Sequence, residues 1–147
     1  LHGAAAARGQ RAVLLVGDNG SGKSTQVSTL YRRGATFLTD DVAVVDMVEG
    51  TARLHTGPPW LRRREAPMAD EPAVWHQSAS GKYLQPVPRE RGAAEGKPLA
   101  AVCALTFGRE AEPRLERLSP SATAAVLLPQ WKNLLLAGLD AAVRLQR

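Results

Sequence analysis

The apolar residues near the N-terminus form short continuous runs that predict a β-sheet. The run RAVLLV, residues 11–16, ends at a glycine and is typical of a strand buried on both faces. The preceding letters GAAAAR and GQ predict a strand of small residues followed by a glycine turn. TFLTDDVAVVDMV, residues 36–48, is apolar and β-branched and predicts another strand. TARLHT, residues 51–56, is its expected hairpin partner after a turn at Glu49-Gly50.

One helix is predicted between these strands. Residues 24–33 place Val27, Leu30 and Tyr31 at helical spacing, and Gly34 follows as a natural C-terminal stop. The first part of the chain therefore alternates strand and helix, as α/β proteins do.

The middle of the chain lacks a clear period and is predicted to consist of loops. GPPWLRRREAP (57–67), DEP (70–72) and PVPRERGAAEGKP (86–98) are rich in proline, glycine and charge. Lys82 is expected in a turn and the basic run LRRRE in a solvated loop, although both could reach a phosphate. His55 and His76 lack metal-ligand spacing, and the three tryptophans, Trp60, Trp75 and Trp131, are expected to cap the core rather than to dock a peptide.

Regular structure is predicted again towards the C-terminus. LAAVCALTFG (99–108) and PRLERL (113–118) are expected to be strands. SPSATAAVLLP (119–129) opens with a Ser-Pro pair typical of a helix N-terminus and predicts a helix that its last proline interrupts. Residues 130–147 predict a second, amphipathic helix.

Candidate chemistry begins with GDNGSGKS, residues 17–24, which fits the phosphate-loop pattern G-x-x-x-x-G-K-[ST] without a mismatch. Glycines allow successive N–H groups to turn towards phosphates, and the following helix directs its positive end at the anion. Lys23 supplies a cation for the β- and γ-phosphates, and Ser24 a hydroxyl for Mg²⁺. The alternative is a glycine-rich surface turn. The residues assigned to nucleotide binding are Gly17, Asp18, Asn19, Gly20, Ser21, Gly22, Lys23, Ser24 and Thr25.

Two adjacent carboxylates, Asp40 and Asp41, follow the helix at the end of an apolar segment. Like charges side by side resist joint ionisation, so each needs a cation or hydrogen bonds. If their strand runs parallel to RAVLLV, its carboxyl end lies beside the phosphate loop, where ligands bind in such sheets. One carboxylate would then hold Mg²⁺ and the other would accept a proton from an incoming hydroxyl. The alternative is a solvated Asp-Asp turn.

The amino-acid composition excludes few classes of ligand and partner. The net charge of +5 suits an anionic ligand, whether nucleotide, acidic peptide or nucleic acid. Cys103 is the only cysteine, which excludes a disulfide within the chain and favours a cytoplasmic location. No apolar run approaches the roughly 20 residues that span a bilayer, so we expect no membrane partner. We also expect no nucleic-acid partner, because neither an RNA-binding aromatic motif nor a helix-turn-helix pattern is visible.

The first third of the chain resembles the catalytic domain of HPr kinase/phosphorylase and the wider set of HPr-kinase-like proteins. In that family a His-Gly pair opens a strand, a phosphate loop follows, a helix ends in Arg-Gly, and an apolar strand ends in Asp-Asp. Here His2-Gly3, residues 17–24, Arg33-Gly34 and Asp40-Asp41 fall in that order with matching spacing. The remainder matches only loosely, as two late strands followed by helices.

The resemblance implies an α/β, phosphoenolpyruvate carboxykinase-like P-loop domain with a mixed β-sheet and flanking helices. It implies transfer of the γ-phosphoryl group of ATP, with Mg²⁺, to a serine hydroxyl of a protein or peptide. Asp40 would be the proton acceptor, His2 would orient it, and Lys23 would hold the triphosphate as the third catalytic residue. Ser24 and Asp41 would serve the metal.

The chain departs from the family in one segment. The later glycine-rich signature with its arginine is not found, and PPWLRRREAP supplies arginines without that pattern. The substrate is therefore left open between an HPr-like protein, the precursor peptide of a peptide-tailoring kinase, and a small molecule. A non-catalytic ATP-binding sensor and a small-molecule P-loop kinase are the alternative functions.

The length suits one domain, and we expect residues 1–147 to form a single HPr-kinase-like catalytic domain. We expect it to be truncated at both ends, because Leu1 is not a start methionine and Arg147 falls inside a helix-like pattern. The sequence leaves open whether the domain forms a homo-oligomer.

Overall fold

A computed structural model describes residues 1–63, 76–77, 81–106 and 112–131 of the chain. In that part of the chain the helices are α1 (Lys23–Arg32) and α2 (Pro120–Leu127). The strands are β1 (His2–Arg8), β2 (Arg11–Val16), β3 (Thr36–Val42), β4 (Val45–Val48), β5 (Thr51–Leu54), β6 (Trp60–Arg63), β7 (His76–Gln77), β8 (Tyr83–Pro86) and β9 (Lys97–Ala104).

Six strands form one mixed sheet in the order β3-β1-β2-β9-β5-β4. The strand β1 lies between β2 and β3 and is antiparallel to both, so β2 and β3 run in the same direction. The pair β2 and β9 is parallel, whereas β5 is antiparallel to β9 and to β4. The predicted α/β class with a mixed sheet is confirmed, and so is the hairpin β1-β2. The single strand predicted at 36–48 is instead two strands, β3 and β4, at opposite edges of the sheet, and only β4 forms the hairpin with β5.

The strand β1 is buried on both faces along residues 3–7, which are one glycine and four alanines. Ala4 and Ala6 pack in the cluster that contains residues of α1, whereas Ala5 and Ala7 belong to the cluster on the opposite face. This alternation is the strand period of two. Val126 and Leu127 of α2 pack against the second cluster, so the two helices contact different faces of the sheet.

A glycine flanks the helix α1 at each end, as the sequence predicts. Its N-cap is Gly22 with φ of 90°, and Gly34 with φ of 88° follows its C-cap. Both glycines lie in the left-handed region that other residues seldom enter. Val27 and Tyr31 are buried against the sheet, and the Tyr31 ring meets Phe37 edge to face at 6.5 Å.

Strands β6, β7 and β8 form a separate antiparallel sheet in the order β6-β8-β7. The prediction that 57–67 is a loop is therefore wrong at Trp60–Arg63, which pairs with Tyr83–Pro86. Local propensity missed the strand because its stability comes from a distant partner and from the buried Leu61. Its prolines, at 58 and 59, precede the strand and so remove no ladder hydrogen bond from it.

The late elements agree with the sequence in part. The predicted strand at 99–108 is observed as β9, which starts two residues earlier, at Lys97. The Ser119 hydroxyl accepts a hydrogen bond from Ala122 N at 3.2 Å and caps α2, as expected. The strand predicted at 113–118 is wrong. Residues 113–118 belong to no strand among the residues that the structure describes, and Leu115 is 92% exposed.

Two other expectations concern segments that the structure describes only in part. Most of the helix predicted for 130–147 lies outside the described residues, which end at 131. Of its first residues, Gln130 ends a 3₁₀ turn that begins at Leu128. Trp131 is partly buried, Trp60 is 36% exposed, and Trp75 also lies outside the described residues. Within the described ranges, no helix is long and apolar enough to cross a bilayer.

The segment that leads into β6 passes against β3 at Gly57. Its N–H donates to Leu38 O at 2.8 Å, and a Cβ at this position would lie 2.1 Å from Thr39 Oγ1. Thr39 is fully buried and its hydroxyl donates to Val42 O at 2.6 Å, so it has little room to move. The absence of a side chain at Gly57 therefore allows β6 to approach the end of β3.

We predict that Gly57→Ala lowers the free energy of unfolding by about 1–3 kcal/mol, as overpacking of a core does. Urea denaturation would measure this change. Gly92→Ala is the matched control, because its Cβ would find no atom closer than 3.8 Å. Equal stability losses in the two variants would contradict the close approach of β6 to β3.

Candidate active site

The sheet register places the paired aspartates one strand away from the phosphate loop. Gly3 of β1 lies opposite Val16 of β2 on one side and opposite Asp41 of β3 on the other. Neighbouring strands are about 4.8 Å apart, so Val16 and Asp41 are separated by roughly 10 Å across the sheet. Because β2 and β3 run in the same direction, the phosphate loop and the aspartates lie at the same edge, as expected.

The phosphate loop curls at its glycines. Gly17 has φ of 141°, and a Cβ there would lie 2.5 Å from Leu105 O, so only glycine fits at this position. Ser21 N donates to Asp18 O at 3.1 Å and closes a turn inside the loop. The loop then enters α1, whose N-terminus carries the positive end of the helix dipole.

Lys23 lies across the base of this loop. Its Nζ donates to Gly17 O at 2.7 Å and to Asp18 O at 2.8 Å, and the residue is only 7% exposed. Burial lowers the pKa of Lys23 from its ordinary value, while the charges of Asp18, Asp40 and Asp41 oppose that shift. These two carbonyls hold the ammonium group against the loop.

Asp40 is the buried carboxylate of the pair and connects three parts of the fold. Its Oδ1 accepts a hydrogen bond from Ser24 Oγ at 2.8 Å, and its Oδ2 accepts one from Arg62 N at 2.8 Å. Burial raises the pKa of Asp40, while these two hydrogen bonds and the Arg62 charge oppose the rise. The carboxylate is therefore fixed in position and costly to ionise.

Asp41 reaches the same site through an unusual backbone conformation. Consecutive strand side chains normally point to opposite faces, but Asp41 has φ of 91°, in the left-handed region. Its carboxylate forms an ion pair with the Arg62 guanidinium, and His2 Nε2 lies 3.5 Å from its Oδ1. Strain of this kind often accompanies function, and here it turns the second carboxylate into the site.

These residues surround one hollow of about 200 Å³. It lies between the phosphate loop, the ends of β1 and β3, and the strand β6. The residues lining it are His2, Asn19, Gly20, Gly22, Lys23, Ser24, Thr25, Ser28, Arg32, Asp40, Asp41, Arg62, Arg63 and Lys82.

A metal ion would depend on the nucleotide for most of its ligands. In the described part of the chain, no group of three or more His, Cys, Asp and Glu side chains is arranged to hold a metal ion. Mg²⁺ is usually held by one or two carboxylates together with substrate phosphates and water. The Ser24 hydroxyl beside the Asp40 carboxylate fits that partial set of ligands.

One further polar atom fits an anion in the loop. Ser21 Oγ is buried and has no hydrogen-bond partner among the residues that the structure describes. An unsatisfied buried hydroxyl costs about 1–3 kcal/mol. A phosphate bound in the loop would offer this hydroxyl an acceptor.

The structure brings most of the predicted site residues to one hollow. Gly17 and Asp18 contribute carbonyls to Lys23 instead of lining the hollow. Ser21 does not line it either, although its Oγ is buried. His2 was expected beside Asp40, and its Nε2 lies 3.5 Å from Asp41 Oδ1. Ser24 was expected to share a metal with Asp41, and its hydroxyl instead contacts Asp40. The metal and catalytic roles of these residues stay predictions.

Sequence reasoning missed the basic side of the hollow. Arg62, Arg63 and Lys82 line it, although they were expected in a solvated loop and a turn. The only signal was the basic run LRRRE, which by itself does not separate an anion site from a solvated charged loop. The strand pairing between β6 and β8 places these cations together.

No protein-family model matches this chain, and no curated protein matches it either. Among the solved structures, the chain is similar to the structure of the Hpr(Ser) kinase/phosphatase from Coxiella burnetii. The two chains are 17% identical, and the match covers 82% of this chain and 71% of that chain with a TM-score of 0.49.

The raised pKa of Asp40 leads to a prediction about stability. Between the ordinary pKa of about 3.9 and the higher folded value, the folded state binds more protons than the unfolded state. The contribution of Asp40 to stability should therefore fall as the pH rises through this range. Asp40→Asn removes the ionisation, and its amide can still donate to Ser24 Oγ while its oxygen accepts from Arg62 N.

We expect the free energy of unfolding of Asp40→Asn, relative to the wild type, to increase with pH across this window and then level off. Urea denaturation in a series of buffers would measure it. Glu90→Gln, which removes an exposed carboxylate, should follow the wild-type curve. A constant difference between Asp40→Asn and the wild type at every pH would contradict the raised pKa.

Proposed function

We propose that this protein is an ATP- and Mg²⁺-dependent serine kinase that transfers the γ-phosphoryl group to a serine of a protein or peptide. The observation that carries the proposal is the hydrogen bond of 2.8 Å between Ser24 Oγ and Asp40 Oδ1. It joins the end of the phosphate loop to a buried carboxylate inside one hollow. The hydroxyl that we propose as a Mg²⁺ ligand and the carboxylate that we propose as the proton acceptor are thus in direct contact.

The loop and Lys23 would bind the triphosphate. The backbone N–H groups of the loop and the start of α1 suit the α- and β-phosphates, and Lys23 suits the β- and γ-phosphates. Ser24 and a carboxylate would hold Mg²⁺, which neutralises charge on the phosphate oxygens when it is bound. Phosphoryl transfer depends mainly on such positioning and charge neutralisation.

Asp40 would assist the nucleophile. The proton of the substrate serine passes to the Asp40 carboxylate while the serine oxygen bonds to the γ-phosphorus. The bond from that phosphorus to the bridging oxygen breaks, and ADP leaves. A base with a raised pKa accepts a proton more readily, and the pKa of Asp40 is raised by burial. Each carboxylate oxygen has two lone pairs, so Oδ1 can accept this proton beside the Ser24 bond.

The first test concerns nucleotide binding. Lys23→Met should weaken the binding of Mg·ATP at least tenfold in isothermal titration calorimetry, because the cation for the β- and γ-phosphates is lost. Lys97→Met is the control, since Lys97 Nζ contacts Gln10 on the exposed surface at 3.2 Å. If both variants bind Mg·ATP as the wild type does, residues 17–24 are not a triphosphate site.

The second test concerns phosphoryl transfer. With γ-labelled ATP and serine-containing peptides, Asp40→Asn should lower the rate of labelling by about 10²–10⁴, the usual contribution of a positioned base. Its affinity for Mg·ATP should change little by comparison. Asp46→Asn is the control, because Asp46 is half-exposed and pairs with His55 at 2.9 Å.

The same assay separates the alternatives. A protein that binds ATP but labels no peptide, protein or free hydroxy-metabolite would be a sensor. Labelling of free serine or another metabolite in preference to peptides would identify a small-molecule kinase. Equal labelling by the wild type and Asp40→Asn would remove Asp40 from the mechanism.

A further inference from the structure

A second, smaller hollow adjoins the proposed nucleotide site. It has a volume of about 90 Å³ and shares Asp40, Asp41 and Arg62 with the larger one. Its remaining walls are Val42, Pro58, Trp60 and Leu84, and we refer to it as the apolar notch. The phosphate loop does not line it. The two hollows therefore meet at the carboxylates, with the loop on one side and the apolar notch on the other.

Two of the apolar side chains that form the notch are exposed to solvent. Val42 is 46% exposed and Trp60 is 36% exposed, and both stand beside two carboxylates. Apolar surface next to a charged pair is costly to leave in water, and covering it with an apolar side chain would be favourable. The hollow is too small for a folded segment, and it suits a single side chain.

The position of the apolar notch beside Asp40 indicates which molecule would bind there. An acceptor hydroxyl must come within hydrogen-bond reach of the Asp40 carboxylate. The phosphate loop occupies one side of that carboxylate, so the chain that carries the acceptor would approach from the side of the apolar notch. Residues close to the acceptor serine would then lie against Val42, Trp60 and Leu84.

Resting on the proposed function, we infer that the apolar notch is the acceptor subsite and that it binds an aliphatic side chain close to the phosphorylated serine. The substrate class is thus a peptide segment in which serine has an apolar neighbour, rather than free serine or a serine within an acidic run. An acidic neighbour would lose its water against Val42, Trp60 and Leu84, and Arg62, the cation that lines the notch, already pairs with Asp41.

Synthetic peptides would test this specificity. Each peptide contains one serine in a glycine-rich sequence. A single leucine replaces a glycine at one of the two positions before the serine or one of the two positions after it. Aspartate in the same positions gives the charged counterpart. Leucine in at least one position should lower KM about tenfold relative to the all-glycine peptide, with little change in kcat. Aspartate in that position should raise KM.

Two valines provide a matched pair of variants. Val42 and Val44 are two residues apart and similarly exposed, at 46% and 57%, but only Val42 lines the apolar notch. Val42→Ala should reduce the preference for the leucine peptide, expressed as a ratio of kcat/KM values, by about threefold. Val44→Ala should leave that ratio unchanged. Trp60→Ala, which removes a larger wall, should bring the ratio close to one.

The outcomes separate this inference from the proposed function. If all peptides are labelled with the same KM, or if Val42→Ala and Val44→Ala change the ratio equally, the apolar notch is not the acceptor subsite and the kinase proposal stands. If the wild type labels none of these peptides, this inference fails, and if it labels no protein either, the proposed function fails as well.

Discussion

The Asp40 carboxylate is the group on which the candidate site depends, because two separate segments of the chain hold it. Ser24 belongs to the phosphate loop and helix α1, whereas Arg62 belongs to a strand of the second sheet. Each donates one hydrogen bond of 2.8 Å to a different oxygen of the carboxylate. Burying a carboxylate without such partners would cost several kcal/mol, so the phosphate loop, β3 and β6 must come together around it.

The packing of the sheet makes this meeting point available. The alanines of β1 are small enough for both faces to be covered, and they keep β2 and β3 one strand apart and running in the same direction. Gly57 then lets the chain cross close to Thr39 and enter β6. The backbone of Asp41 leaves the strand conformation at this point, so two neighbouring carboxylates face one hollow instead of opposite faces.

Both signs of charge are present at the site, where five cationic side chains and two carboxylates line the larger hollow. The Arg62 guanidinium pairs with Asp41, Lys23 is bound to two loop carbonyls, and burial lowers the pKa of Lys23 while it raises that of Asp40. Both shifts have the same cause, since removal from water disfavours the charged form of each group. The side of the carboxylates away from the loop is apolar instead, where Val42, Trp60 and Leu84 form the notch. The two environments meet at Asp40, and this boundary is where a phosphate donor and an acceptor hydroxyl would meet.

The sequence by itself determined the local elements of the first third. Glycines at 17, 22 and 34 and the apolar runs gave the loop, α1 and the flanking strands, because backbone freedom and hydrophobic period act over a few residues. Prediction from the sequence missed the strand β6 and placed a strand at 113–118 that is not observed. Whether such a segment forms a strand depends on a distant partner. Only the tertiary structure decided that Arg62 contacts both aspartates and that Ser24 contacts Asp40. Those contacts join residues 16 to 22 positions apart, and sheet register sets them, which no local pattern encodes.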